Sequence, residues 1–124
     1  MAKTILIIED DEFLLGLEKE KLEKAGYEVL TAVNSVKAFG IVNSNKKLDL
    51  ILLDLLLPDV DGFMILEKLR EGAITRNTPV IVFSNLSEEK DIERANKFHI
   101  NEYIVKSNIS LNDLVDRVKK LLGE

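Results

Sequence analysis

Four short runs along the chain are apolar at nearly every position: Thr4 to Ile8, Leu50 to Leu53, Val80 to Phe83 and Tyr103 to Val105. A strand with one wet face alternates apolar and polar residues. A run without that alternation predicts a strand covered on both sides, as in a parallel sheet. A weaker run, Glu28 to Ala32, predicts an edge strand. The segments between these runs carry the helical period instead. Glu12 to Ala25 sets Leu14, Leu17, Leu22 and Ala25 on one face, with Gly26 where a helix usually stops. Ser35 is placed to cap a short helix through Asn43, and the polar stretch Asn43 to Lys47 defines no element. Gly62 to Glu71 carries Ile65, Leu66 and Leu69. Ser87 is placed to cap a helix through Lys97, with Ile92 and Ala95 inward. Ser110-Leu111-Asn112-Asp113 reads as a capping box with Asp in place of the usual Glu. Behind it Leu111, Leu114, Val115, Val118, Leu121 and Leu122 follow the helical period. Strand and helix thus alternate five times. That order predicts right-handed crossovers and an α/β sandwich, a parallel sheet with helices on both faces.

Composition narrows the class without naming a chemistry. The 124 residues suit one domain spanning 1–124, large enough to fold on its own core. There is no cysteine, which removes disulfides and thiolate metal sites. The net charge of −5, from 22 acidic and 17 basic side chains interspersed, leaves no basic stripe for nucleic acid. Met1-Ala2-Lys3 leads into only a short strand before the acids begin, so no signal peptide is read there, and no run is long enough to span a membrane. A cytoplasmic domain is the expectation.

The chemistry gathers where the strands stop. Glu9-Asp10-Asp11 closes the first run, Asp54 the third, Ser84 the fourth and Lys106 the fifth. Pro58-Asp59-Val60-Asp61-Gly62 breaks the chain soon after Asp54. Open α/β sheets bind ligands beyond the carboxyl ends of their strands, so three carboxylates, a hydroxyl and an ammonium are expected on one rim. Plainer roles stand beside these. Asp10 or Asp11 could cap the first helix. Ser84 and Asn85 could be turn residues, and Lys106 a solvated lysine. Asp59 and Asp61 read as turn residues, with Asp61-Gly62 opening the third helix. Tyr103 on its own reads as a strand aromatic. His99, the only histidine, sits in a polar stretch and reads as exposed or half-buried.

The acidic pair in Ile7-Ile8-Glu9-Asp10, the acid ending Leu50-Ile51-Leu52-Leu53-Asp54, Pro58 with Asp61-Gly62, then Ser84 and Lys106 in that order, resemble the response-regulator receiver domains of two-component signalling. The resemblance runs from Thr4 to Leu122. It implies a flavodoxin-like (βα)5 sandwich of strand order 2-1-3-4-5, of the chemotaxis-regulator kind. It implies that Asp54 accepts a phosphoryl group from a sensor histidine kinase or phosphotransfer protein. Mg²⁺, or Mn²⁺ in its place, would be held by Glu9, Asp10, Asp54 and the backbone carbonyl of Leu56. Clustered carboxylates repel one another unless a cation neutralises them, and oxygen-only ligands suit Mg²⁺. Asp10 would bind the ion directly and Glu9 through a water. Lys106 and the Ser84 hydroxyl would meet charge on the transferring group. Ser84 and Tyr103 would then switch the face made by the fourth helix, fifth strand and fifth helix. A separate effector protein would read that face, with homodimerisation on phosphorylation left open and neither DNA nor membrane contacted directly.

Three positions depart from the usual receiver pattern. Ser107 follows Lys106 where proline is usual, so a trans peptide, a rearranged loop Ser107-Asn108-Ile109 and a displaced Lys106 are expected. Leu56 is apolar where many relatives carry a polar side chain, and it cannot orient an attacking water, so loss of the phosphoryl group should be slow. Asn85 replaces a small residue and is expected to narrow access to Asp54. Two other functions compete. One is a receiver-fold interaction module that is never phosphorylated. The other is a Mg²⁺-dependent phosphohydrolase or nuclease, against which Asp54-Leu55-Leu56 lacks a second acid one residue away. A flavodoxin is disfavoured by acids where a flavin phosphate needs donors.

Overall fold

The computed structural model describes residues 2–44 and 46–123. Asn45, within the polar stretch noted above, and Met1 lie outside the described residues. The elements run β1 (Thr4–Ile8), α1 (Glu12–Lys24), β2 (Glu28–Ala32), α2 (Ser35–Val42), β3 (Leu50–Leu53), α3 (Gly62–Glu71), β4 (Val80–Ser84), α4 (Glu89–Asn96), β5 (Glu102–Val105), a 3-10 turn (Lys106–Asn108) and α5 (Leu111–Leu122). All five strands pair in parallel in the order β2-β1-β3-β4-β5. The sheet is the flavodoxin-like one, with β2 at an edge as its weak pattern predicts.

The missing alternation in the strands has a direct cause. Leu6, Ile8, Ile51, Leu53, Val80 and Val82 pack against Ala38, Phe63, Leu66 and Ala95 from α2, α3 and α4. Their neighbours Ile5, Ile7, Leu50, Leu52, Ile81 and Phe83 pack on the other face against Leu15 and Leu22 of α1 and Leu114, Val118 and Leu122 of α5. Each strand residue meets a helix whichever way it points, so the runs are apolar at nearly every position.

Local expectations on three helices need correction. On α1 the inward face is Leu15, Glu18 and Leu22, while Leu14 is half-buried and Leu17 exposed. A carboxyl occupies the middle of the buried stripe and shifts the apolar pattern by one residue. Ala25 is the half-buried C-cap, and Gly26 ends the helix at φ +100°, where a side chain would be strained. On α2 the cap is Asn34, whose side chain accepts the Lys37 N–H at 2.9 Å; Ser35 is the first helical residue. On α4 Ser87 lies outside the helix, and Glu88 takes the N-cap position with no side-chain bond. Asp61 caps α3 and the Ser110–Asp113 box caps α5, both as expected.

The far end of α4 is anchored. Arg70 of α3 donates to five carbonyls, those of Thr75, Arg76, Thr78, Phe98 and His99, at 2.7–3.3 Å. His99 is exposed and left-handed at φ 56°, just past the helix. No described helix is long and apolar enough to cross a membrane.

Candidate functional site

Strand register assembles the site. β1 is flanked by β2 and β3, so the strand order reverses there and a crevice opens beyond the carboxyl ends. Ile8 pairs with Leu53, which sets Glu9 and Asp54 one step further along, side by side. The Asp54 N–H donates to the Ile8 carbonyl at 3.0 Å and ties the acid to its neighbour strand. Carboxylate oxygens of Glu9, Asp10 and Asp54 lie within 4.8 Å of one another. Glu9 and Asp54 are buried and Asp10 is exposed. Asp11, not Asp10, caps α1 by accepting from the Phe13 and Leu14 N–H groups, both at 3.1 Å. That division leaves the Asp10 carboxylate free of the capping role.

Both carboxylate oxygens of Asp54 accept hydrogen bonds. Oδ1 accepts the Ser84 hydroxyl at 2.7 Å and the Leu56 N–H at 2.9 Å. Oδ2 accepts Lys106 Nζ at 2.6 Å. The same ammonium bonds Glu9 Oε1 and sits 5.8 Å from the centre of the Phe83 ring. The expectation of a displaced Lys106 is therefore corrected. No cis peptide occurs among the described residues. The chain after β5 coils into the 3-10 turn, and from it the lysine still reaches Asp54. Burial pulls the Lys106 ammonium down in pKa, but its bonds to Asp54 and Glu9 outweigh that and hold it above its ordinary value. Burial pushes Glu9 up to about 7, against the opposing pull of its Lys106 bond.

The Tyr103 hydroxyl donates to the Leu86 carbonyl, in the loop just past Ser84. Burial, with Asp91 and Asp54 nearby, pushes that phenol up to about 12. Leu56 is half exposed and makes an isolated bridge with Asp61. Asp59 is more than a turn residue. It accepts from the Ser35 hydroxyl at 2.6 Å and from the Ser35 N–H, which fastens the loop after Asp54 to the start of α2 and lowers the Asp59 pKa. Sequence reasoning also missed Glu18, which is buried with neither carboxylate oxygen bonded. Its signal was available: a charge between Leu15 and Leu22 at core spacing.

Residues 5–119 match the family described as the response regulator receiver domain. The chain belongs to that family. The polar-differentiation response regulator DivK of Brucella anthropi is 31% identical over all of this chain and 99% of its own length. The phosphorylated cyanobacterial phytochrome response regulator RcpA is 31% identical, with a TM-score of 0.84 over 98% of this chain and 91% of its own. The Mn²⁺-bound form of the response regulator Rcp1 is 28% identical, with a TM-score of 0.81 over 96% of this chain and 91% of its own. This receiver domain is thus a two-component signalling module, and Glu9, Asp10, Asp54, Ser84 and Lys106 meet on one rim of its sheet.

Proposed function

We propose that this receiver accepts a phosphoryl group on Asp54 from a histidine kinase or phosphotransfer protein. The observation that carries the reading is the single Asp54 carboxylate held by Ser84, Lys106 and the Leu56 N–H beside two further acids. An Asp54 oxygen would form a bond to phosphorus as the donor's N–P bond breaks, the electron pair leaving with the donor nitrogen. Lys106 would offset negative charge on the transferring group, and the Ser84 hydroxyl would turn from Asp54 to donate to it.

Glu9 and Asp10, with Asp54 and the Leu56 carbonyl, fit Mg²⁺ or Mn²⁺ because the set offers only oxygen and because Asp10 is spared from capping. A divalent ion there would neutralise charge on the phosphoryl oxygens. The Mn²⁺-bound Rcp1 and the phosphorylated RcpA support both halves of the reading by likeness. Movement of Ser84 would draw the loop through Leu86 and release the Tyr103 hydroxyl, altering the face of α4, β5 and α5 that a separate effector protein reads. The half-exposed Leu56 side chain has no group to orient water, so we also propose a long-lived phosphoform.

The test is to incubate the protein with Mg²⁺ and a small acyl phosphate and weigh the intact chain. One added phosphoryl group, absent in Asp54→Ala, is the expected result. Turnover of phosphoester without modification would point to a hydrolase, and inertness to both donor and beryllofluoride to an unphosphorylated interaction module.

A further inference from the structure

Beyond the β4–β5 ladder, which pairs Ser84 with Val105, a side-chain hydrogen bond joins the exit of β4 to the turn that carries Lys106. The Ser107 N–H donates to Asn85 Oδ1 at 3.1 Å. Successive residues of the β4–α4 connection are thereby fastened to different partners. Ser84 donates to Asp54, Asn85 accepts from Ser107, and the Leu86 carbonyl accepts from Tyr103. The Asn85 bond is the one that reaches the turn of Lys106. That 3-10 turn, Lys106–Asn108, has no side-chain cap of its own. A proline at position 107 would have no N–H to donate, and a small side chain at position 85 would have no oxygen to receive one. The residues at the two positions are complementary: each supplies the half of the bond that the other needs.

We propose that Asn85 is a positioning residue, which holds the turn beneath Lys106 so that its ammonium is aimed at Asp54. Asn85 is then a brace and not an obstruction over the site. The inference rests on the reading of Asp54 as phosphoryl acceptor. Lysine has a long, flexible side chain, and fixing the backbone it springs from reduces the number of arrangements that miss Asp54 Oδ2. Lys106 meets charge that grows as phosphorus transfers. A loosened Lys106 should therefore lower the maximal rate and leave capture of the donor unchanged.

The full chain is tested with saturating Mg²⁺ and a small acyl phosphate, following modification of Asp54. Asn85→Ala should lower the maximal rate about fivefold, the size expected for one net hydrogen bond, with the half-saturating donor concentration unchanged. Ser107→Ala keeps the backbone N–H and should match the parent. A second reading needs no phosphate: the ¹⁵N signal of the Lys106 ammonium, slow to exchange with water in the parent, should broaden away in Asn85→Ala as the Ser107 amide exchanges faster. An unchanged maximal rate, or a change only in half-saturation, overturns the proposal. If the parent takes no phosphate, the acceptor reading fails alone. The Lys106 signal then decides for the brace if it is lost in Asn85→Ala, and against it if it is kept.

Discussion

Glu18 carries a carboxyl that is 1% exposed on the inner face of α1, with neither oxygen bonded. Burial, reinforced by the charge of Glu9, moves its pKa from the ordinary 4.5 up to about 8. The folded chain therefore holds a proton there that the unfolded chain releases between those values. Stability should fall as pH rises from about 4.5 to about 8 and stay at the lower level above it. Glu9, pushed up to about 7, adds to the same slope. Glu18→Gln keeps the shape and removes the charge. Urea unfolding across that range should show the variant with a flatter pH dependence and, near pH 8, a gain on the order of a few kcal/mol over the parent. If parent and variant lose stability in parallel, Glu18 does not ionise in that window. Among the residues of the rim, Lys106 was legible only through its place after a buried strand. The bond between Asn85 and the Ser107 N–H was not legible, because a backbone N–H on another strand's exit leaves no mark in side-chain pattern.

At the scale of the elements, two contacts can be tested by stability. The Ser110 hydroxyl accepts the Asp113 N–H at 3.1 Å, and Asp113 returns the bond to the Ser110 N–H at 3.2 Å. Ser110→Ala should cost about 1 kcal/mol in urea denaturation, most of it as fraying of the start of α5 seen by amide exchange. At the start of α3, a Cβ on Gly62 would fall 2.4 Å from the Leu55 Cα. Gly62→Ala must push the residue next to Asp54, so a loss of about 2–3 kcal/mol is expected, together with slower modification of Asp54 by the small acyl phosphate. The strands were legible because burial on both faces keeps their runs apolar at nearly every position. The box on α5 was legible because both of its partners lie within one turn. The cap of α2 was misplaced by one residue because Asn34 and Ser35 both suit the position, and Ser35 is claimed by Asp59 from a loop 24 positions away. Ser87 was misleading for a different reason: α4 begins without any side-chain cap, so there was no signal to find.

Across the whole molecule, the strand order came from the family likeness, since periodicity says nothing about which strands lie side by side. What neither pattern nor likeness indicated is how unevenly α4 is held. Arg70 fastens the segment beyond its C-terminal end to α3 and to the approach of β4. Arg70→Ala should cost about 2 kcal/mol in chemical denaturation, because several carbonyls lose a charged donor at once. Amide exchange should quicken around Phe98 and His99 before it does in the sheet. At the opposite end of the helix the N-cap residue Glu88 makes no side-chain bond, and the connection runs back through Leu86, whose carbonyl accepts from Tyr103. A rod pinned at one tip behaves as a lever: a small tug at the free tip swings it about the fulcrum and does not slide it. Any displacement that begins at Ser84 would then reach the surface as a tilt, widest beside the rim and nil near His99.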